Sequence, residues 1–167
     1  EIIPAYQETD AGQGWDFEQS YAAAGEQRRA VEEGLPADVV HLSLEPDVTK
    51  LVDKGLVAED WNKDQYKGFV TNSVVVFAVR EGNPENIQTW DDLIKPGVEI
   101  VTPNPASSGA ARWNALAAYG QAIEGGATEE EATQYVTDLF ANVVSLPSSG
   151  RDATTAFLGG TGDVLLA

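Results

Sequence analysis

Three short segments of the sequence, residues 21–25, 104–110 and 148–151, are small, polar or glycine-containing, and each precedes a predicted helix. The first amide N–H groups of a helix have no partner within it, and the helix dipole places positive potential beside them. Small side chains allow an anion to reach such amides. These segments therefore predict hydrogen-bond donors that could hold an anion.

Residues 98–120 show the pattern most fully, as a strand, a tight loop and a helix. The β-branched residues at 98–101 predict a strand, and the prolines that follow stop it. Ser107 or Ser108 can cap the next helix, in which alanines recur at helical spacing. Taken alone, this stretch fits an ordinary capped helix better than a binding site, because serine caps are common.

Alternating strand and helix signals predict an α/β fold with mostly parallel strands. The other predicted strands are at 15–17, 39–42, 74–79, 143–144 and 163–167, and the other helices end at Glu33 or lie at 48–54, 90–94, 129–140 and 153–157. The continuous apolar run at 74–79 is typical of a strand buried on both faces.

Polar turn residues follow that run and predict a lobe boundary, with one lobe over residues 1–80 and a second over 81–167. Ligands of open α/β sheets bind beyond the carboxyl ends of the strands. The three donor segments meet that condition, so we expect them to converge on one cleft between the lobes.

Composition narrows the possible partners. The 167 residues include 10 basic and 27 acidic side chains, for a formal net charge of −17. Nucleic acid is therefore an unsuitable partner, since it requires a basic face. An anion site in such a molecule must depend on local dipoles and hydrogen bonds. The absence of cysteine excludes disulfides and thiolate metal sites, and no apolar run approaches the length of a membrane span.

An enzymatic function is disfavoured by the residue types present. His41 is the only histidine, and it falls in a predicted apolar strand, which favours a core or sheet-edge role. No nucleophile elbow or phosphate-binding loop is found, and the carboxylates lie mainly on helix faces. We expect no cofactor and no metal site.

The order of several motifs resembles the periplasmic sulfate-binding proteins of bacterial ABC importers and their thiosulfate-binding relatives. The matching blocks span nearly the whole chain. The most specific is TPNP…SG.ARWN…LAAYG, over residues 102–120; the others are QS at 19–20 with GEQ at 25–27, GLPADVV at 34–40, WDDL at 90–93 and ATT at 153–155 with GDVL at 162–165.

The resemblance implies a two-lobed type II binding-protein fold, of which this chain corresponds to a middle portion with an incomplete first lobe. It implies a monomeric receptor, in the periplasm or lipid-anchored on the cell surface, that delivers its anion to ABC permease subunits. The ligand-binding positions carried over are Ala24, Gly25, Ser108, Gly109, Ala110 and Gly150, and those expected behind them are Ser20, Ser107, Arg112, Ser149 and Arg151.

The resemblance also leaves the ligand open in two respects. Ala24 stands where the family usually has a serine that gives both its hydroxyl and its amide. A missing hydroxyl weakens binding or indicates a different oxyanion, such as molybdate or phosphate, and a degenerate structural or regulatory domain is the alternative from another class. Asp152 lies where family members often have glycine, and a carboxylate in contact with the ligand would favour protonated phosphate over sulfate.

The simpler interpretation of Asp152 is a carboxylate at a helix start that faces solvent. Arg112 and Arg151 are expected to lie behind the loops, paired with carboxylates or carbonyls, rather than on the anion.

Overall fold

The computed structural model of the chain describes residues 2–167. Six α-helices and four strands occur in these residues, with a 3-10 helix over Trp90–Ile94. The helices are α1 (Ile2–Gln7), α2 (Ala24–Glu32), α3 (Glu45–Asp53), α4 (Gly109–Glu124), α5 (Glu129–Ala141) and α6 (Gly150–Leu158), and the strands are β1 (Phe77–Val79), β2 (Ile100–Val101), β3 (Val143–Ser145) and β4 (Val164–Leu166).

The four strands form one sheet in the order β1-β4-β2-β3. Strand β2 pairs in parallel with both β3 and β4, and β1 pairs antiparallel with β4. The prediction of a mainly parallel α/β sheet is confirmed. The division at residue 80 stays a prediction. Strand β1 lies just before residue 80 and pairs with β4, which lies after it.

Alternate residues of the central strands bury the two faces of this sheet. Ile100, Val164 and Leu166 pack with residues of α4, α5 and the 3-10 helix in the larger hydrophobic core. Val101 and Leu165 point the other way and pack with α6. Helices therefore cover both faces, and the short parallel strands present their carboxyl ends to the loops before α4 and α6.

Most helices follow their local signals. Helices α2 and α3 end just before Gly34 and Gly55, whose φ angles of 104° and 71° suit glycine. Thr128 and Glu131 form the capping box predicted for α5. Helix α6 begins at Gly150, three residues earlier than predicted, because the Ser149 side chain already accepts from the Asp152 amide.

Two strand predictions are wrong, and a third is only partly confirmed. No strand forms at 15–17 or 39–42, and His41 is exposed rather than in a core or sheet edge. The strand predicted at 74–79 is reduced to Phe77–Val79, and Val74 is 77% exposed. These segments are apolar, but a strand also needs a neighbour to pair with, and among residues 2–167 only β4 pairs with β1.

Residues 2–76 contain α2 packed against α3, with the unpredicted short helix α1 before them. Several of their large apolar side chains are exposed, among them Trp15, Tyr21, Val39 and Phe69. Within the described residues, no helix has both the length and the apolar character that a membrane crossing requires.

Candidate functional site

The N-termini of α2, α4 and α6 meet at Ser107. The Gly25 amide, in the first turn of α2, donates to the Ser107 carbonyl at 3.0 Å. The Ser107 hydroxyl donates to the Ser148 carbonyl, just before α6, at 2.7 Å. Ser107 itself immediately precedes the cap of α4. The three segments singled out in the sequence are thus direct neighbours in the fold.

Helix α4 begins with two amides that lack an acceptor within residues 2–167, and the first of them belongs to the buried Gly109. Ser108 caps the helix by accepting from the Ala111 amide at 3.4 Å, and its own amide donates to the Asn104 carbonyl at 2.8 Å. The amides of Gly109 and Ala110 have no hydrogen-bond partner in the described residues. The Ser108 side chain is buried, so its hydroxyl lies at the base of this turn.

Asn114 fixes α4 to the sheet. Its side-chain amide is buried and donates to the Thr102 hydroxyl and to the Leu166 carbonyl, each at 3.0 Å. These contacts join the helix to the ends of β2 and β4, which sets the direction of its N-terminus.

Helix α6 also begins with available amides, since Gly150 and Arg151 have no acceptor for their N–H groups in the part of the chain described. Asp152 lies close by, but its carboxylate is exposed and already accepts from the Ser149 and Ser148 hydroxyls at 2.7 and 2.9 Å. Hydrogen bonds from Ser149, then from Ser148, lower the pKa of Asp152 below its usual value. The geometry agrees with the interpretation of a solvent-facing carboxylate at a helix start.

Helix α2 has no side-chain cap, because alanine occupies its N-cap position. The Ala24 amide has no partner within residues 2–167, whereas the Gly25 amide is engaged with Ser107. Gly25 therefore does not fit the role of anion donor that the sequence suggested. Ser20, expected behind the site, accepts from the Gln27 side chain at 3.0 Å.

The two arginines predicted to lie behind the loops differ in their contacts. Arg112 donates to the Pro105 carbonyl at 3.0 Å and to the Asp47 carboxylate at 3.3 Å, as the indirect role requires. Arg151 is exposed and makes no ion pair with the described side chains.

Asp47 is a residue that sequence reasoning missed. Its side chain is fully buried and lies between Arg112 of α4 and Arg28 of α2. Arg28 Nε and Asp47 Oδ1 are 3.3 Å apart but are not aligned as a hydrogen bond, and Arg28 also pairs with Glu32. This ion-pair cluster joins α2 and α3 to the first turn of α4.

The first turn of α4 is also in close contact with residues 43–44. The Trp113 indole donates to the Ser43 carbonyl at 3.1 Å, and a Cβ built on Gly109 would lie 2.8 Å from the Ser43 Cβ. A side chain at Gly109 would push the two segments apart. A Cβ on Gly150 would meet no atom within 4 Å, so that helix start is open.

Two cavities in the described residues lie elsewhere. One, of about 360 Å³, lies between α4, α5 and Asp91, and the other, of about 450 Å³, is an apolar hollow beside α1. No group of three or more His, Asp or Glu side chains within residues 2–167 is arranged to hold a metal ion. The chemistry that the unpartnered amides offer is hydrogen-bond donation to an acceptor.

A family model described as bacterial extracellular solute-binding protein matches residues 1–167, and the chain belongs to that family.

Individual relatives carry more specific names. The chain is similar to a sulfate-binding protein of Synechococcus elongatus, with 46% identity over 170 residues that cover 99% of this chain and 49% of the relative. It is also similar to a thiosulfate-binding protein of Pseudomonas aeruginosa, with 38% identity over 172 residues that cover 99% of this chain and 52% of the relative. The chain thus spans about half the length of the curated relatives it matches.

A solved structure of a similar protein has the same fold. The sulfate-binding protein SubI from Mycobacterium tuberculosis H37Rv superposes with a TM-score of 0.93 at 46% identity, over 99% of this chain and 58% of that chain. The family and the α/β binding-protein fold predicted from the sequence are confirmed.

Proposed function

We propose that the full-length protein is a receptor that captures sulfate or thiosulfate and delivers it to the membrane permease of an ABC importer. The observation that carries this proposal is the meeting of three helix N-termini whose amides at Ala24, Gly109, Ala110 and Gly150 have no partner in the described residues. The names of the relatives, sulfate-binding and thiosulfate-binding protein, support the choice of anion.

Neutral donors suit this ligand for two reasons. Sulfate carries no proton at neutral pH and only accepts hydrogen bonds, so amides match all of its oxygens. Helix dipoles also concentrate positive potential at one point, which a molecule with a net charge of −17 otherwise lacks. A hydrogenphosphate ion would need an acceptor for its proton, and the amides, which only donate, offer none.

The role is one of binding rather than catalysis, in a monomer that acts outside the cytoplasmic membrane, secreted or lipid-anchored, and has no nucleic acid partner. Closure of two lobes around the anion would present a surface to the permease.

Isothermal titration calorimetry of the full-length protein with sulfate, thiosulfate, molybdate and phosphate tests the proposal. We expect saturable binding of sulfate or thiosulfate that exceeds phosphate binding. Heat with molybdate or phosphate alone would reject the choice of anion, and no heat with any of the four would reject the receptor function.

Introducing a hydroxyl at Ala24 is expected to strengthen sulfate binding. The Ala24→Ser variant would add an O–H donor beside an amide that already lacks a partner, and a hydrogen bond to a charged group contributes about 1.5–3 kcal/mol, or about tenfold or more in affinity. Titration of the variant measures the gain. Ala24→Cys is the control, since it places a weakly donating thiol where serine has its hydroxyl; equal gains in both would contradict the hydrogen-bond argument.

Removing the charge of Asp152 is expected to strengthen binding as well. The gain should be limited to about threefold to tenfold, because an exposed charge is partly screened by solvent. The lowered pKa keeps this carboxylate ionised at neutral pH, so it repels a dianion held at the start of α6. Asp152→Asn keeps the shape and should show the gain most clearly at low salt. An affinity that is independent of both the substitution and ionic strength would show that the carboxylate is too far from the ligand.

A further inference from the structure

We propose that Ser107 is a positioning residue that holds the three helix N-termini at the mutual spacing an oxyanion requires. Its carbonyl binds α2 and its hydroxyl binds the loop before α6, while its own chain leads into α4. This inference rests on the proposed function, and it gives Ser107 and Gly25 a role distinct from contact with the anion.

The contact with α2 depends on a missing side chain. The Gly25 amide donates to the Ser107 carbonyl at 3.0 Å, and Gly25 is buried in this contact. A Cβ on Gly25 would lie 3.1 Å from the same carbonyl oxygen, closer than ordinary van der Waals contact. Glycine at this position therefore allows the two backbones to approach. Its amide donates to the Ser107 carbonyl and is not free to bind an anion.

The contact with α6 depends on the hydroxyl. Ser107 Oγ donates to the Ser148 carbonyl at 2.7 Å across 41 residues of sequence, and the alternative acceptor, the Asn104 carbonyl, lies farther away at 3.4 Å. Ser148 is in turn fixed to α6, because its hydroxyl donates to Asp152. Hydrogen bonds thus run from Gly25 through Ser107 and Ser148 to Asp152, and they connect the N-terminal ends of α2, α4 and α6.

The Ser107 backbone is itself held in place, since its amide donates to the Asn104 carbonyl at 3.1 Å. Ser107 thereby contributes to the spacing between the unpartnered amides of Ala24, Gly109 and Gly150, together with the Asp47 ion-pair cluster that joins α2 and α3 to α4. An anion that binds all three at once loses less free energy when they are already positioned. Without Ser107 Oγ, the loop before α6 would keep the backbone bond from the Asn104 amide to the Pro147 carbonyl at 2.7 Å but would lose its side-chain contact, so the start of α6 would be held less firmly and the anion would leave faster.

Titration and stopped-flow kinetics with sulfate on the full-length protein test this role. Ser107→Ala is expected to weaken binding by about threefold to tenfold, mainly through faster dissociation. Ser107→Thr keeps the hydroxyl and should restore most of the affinity. Ser73→Ala is the matched control, because Ser73 is exposed and makes no side-chain hydrogen bond within residues 2–167; its affinity should equal the wild type.

Amide exchange at Gly25, followed by NMR with labelled glycine and no anion present, provides a readout that does not depend on ligand binding. We expect this amide to exchange more slowly than exposed loop amides in both the wild type and Ser107→Ala, because its acceptor is the Ser107 backbone carbonyl, which the substitution keeps. Fast exchange of Gly25 in the wild type would overturn the proposal, whatever the titrations give.

The two hypotheses fail in different ways. A wild type that binds no oxyanion rejects the proposed receptor function, and exchange at Gly25 then decides on Ser107 alone. A wild type that binds sulfate, with Ser107→Ala within about twofold of it, rejects the positioning role and leaves the receptor function standing. An affinity loss that Ser107→Thr shares fully would also reject the role of the hydroxyl.

Discussion

Replacing Gly150 with aspartate is expected to weaken sulfate binding by at least about a hundredfold, because it places a fixed negative charge among the donor amides at the start of α6. A Cβ on Gly150 meets no atom within 4 Å, so the side chain fits without displacing its neighbours. A carboxylate about 5 Å from the ligand, at an effective dielectric constant of about 20, repels each unit of ligand charge by about 3 kcal/mol. Titration calorimetry with sulfate measures the loss.

Gly150→Asn is the matched control for this experiment. It has nearly the shape of the aspartate variant without its charge, so its affinity should stay much closer to the wild type. The melting temperature of Gly150→Asp should not fall, because an acidic residue in the first turn of a helix interacts favourably with the helix dipole. Equal losses in the two variants would show that shape rather than charge is responsible, and unchanged affinity in both would remove Gly150 from the site.

The helices of this chain could be predicted from the sequence because their signals are local. The Ser108 cap of α4 and the Thr128 capping box of α5 each lie within four residues of the groups they bind. The glycines after α2 and α3 end those helices through their own backbone angles. Such signals need no knowledge of the rest of the fold.

The strands were less predictable because pairing is non-local. The run at 74–79 has the composition of a fully buried strand, but the strand covers only Phe77–Val79, with Val76 exchanging backbone hydrogen bonds with Ala167. Its partner β4 is more than eighty residues away in the chain. Val74 and Val76 remain at least half exposed. Composition states that a segment can be a strand; whether a neighbour is present depends on the whole sheet.

The candidate site likewise has local features that the sequence predicts and others that depend on residues far away in the chain. That the three segments are neighbours could be predicted, since each follows a strand or turn and begins a helix. The use of the Gly25 amide by Ser107 could not, because it depends on a carbonyl more than eighty residues away. Asp47 has the sequence context of an ordinary acidic residue in a first helical turn, and only the positions of Arg28 and Arg112 show that it is buried in an ion-pair cluster.

That cluster leads to the second large prediction, which concerns stability. Asp47→Ala is expected to lower the free energy of unfolding by about 3 kcal/mol, because it leaves the mostly buried guanidinium of Arg28 without its buried partner. Arg28 keeps its pair with Glu32, so the expected loss is at the lower end for a broken buried pair. Urea unfolding of the full-length protein measures it. Asp53→Asn, at the exposed end of α3, is the control and should change stability by less than about 0.5 kcal/mol.

A double variant separates lost charge pairing from lost packing. In Asp47→Leu with Arg28→Met, both buried charges are replaced by apolar side chains, while Arg112 keeps its hydrogen bond to the Pro105 carbonyl. If the unpaired charge of Arg28 causes the instability, the double variant should be more stable than Asp47→Ala, since apolar replacement of a buried pair is often neutral. If the double variant is as unstable as the single one, the cluster stabilises the contact between α2, α3 and α4 through its shape. If the unpaired charge is the cause, sulfate affinity should fall in Asp47→Ala and recover in the double variant. The reason is that Arg112 lies in the first turn of the helix that supplies the Gly109 and Ala110 amides.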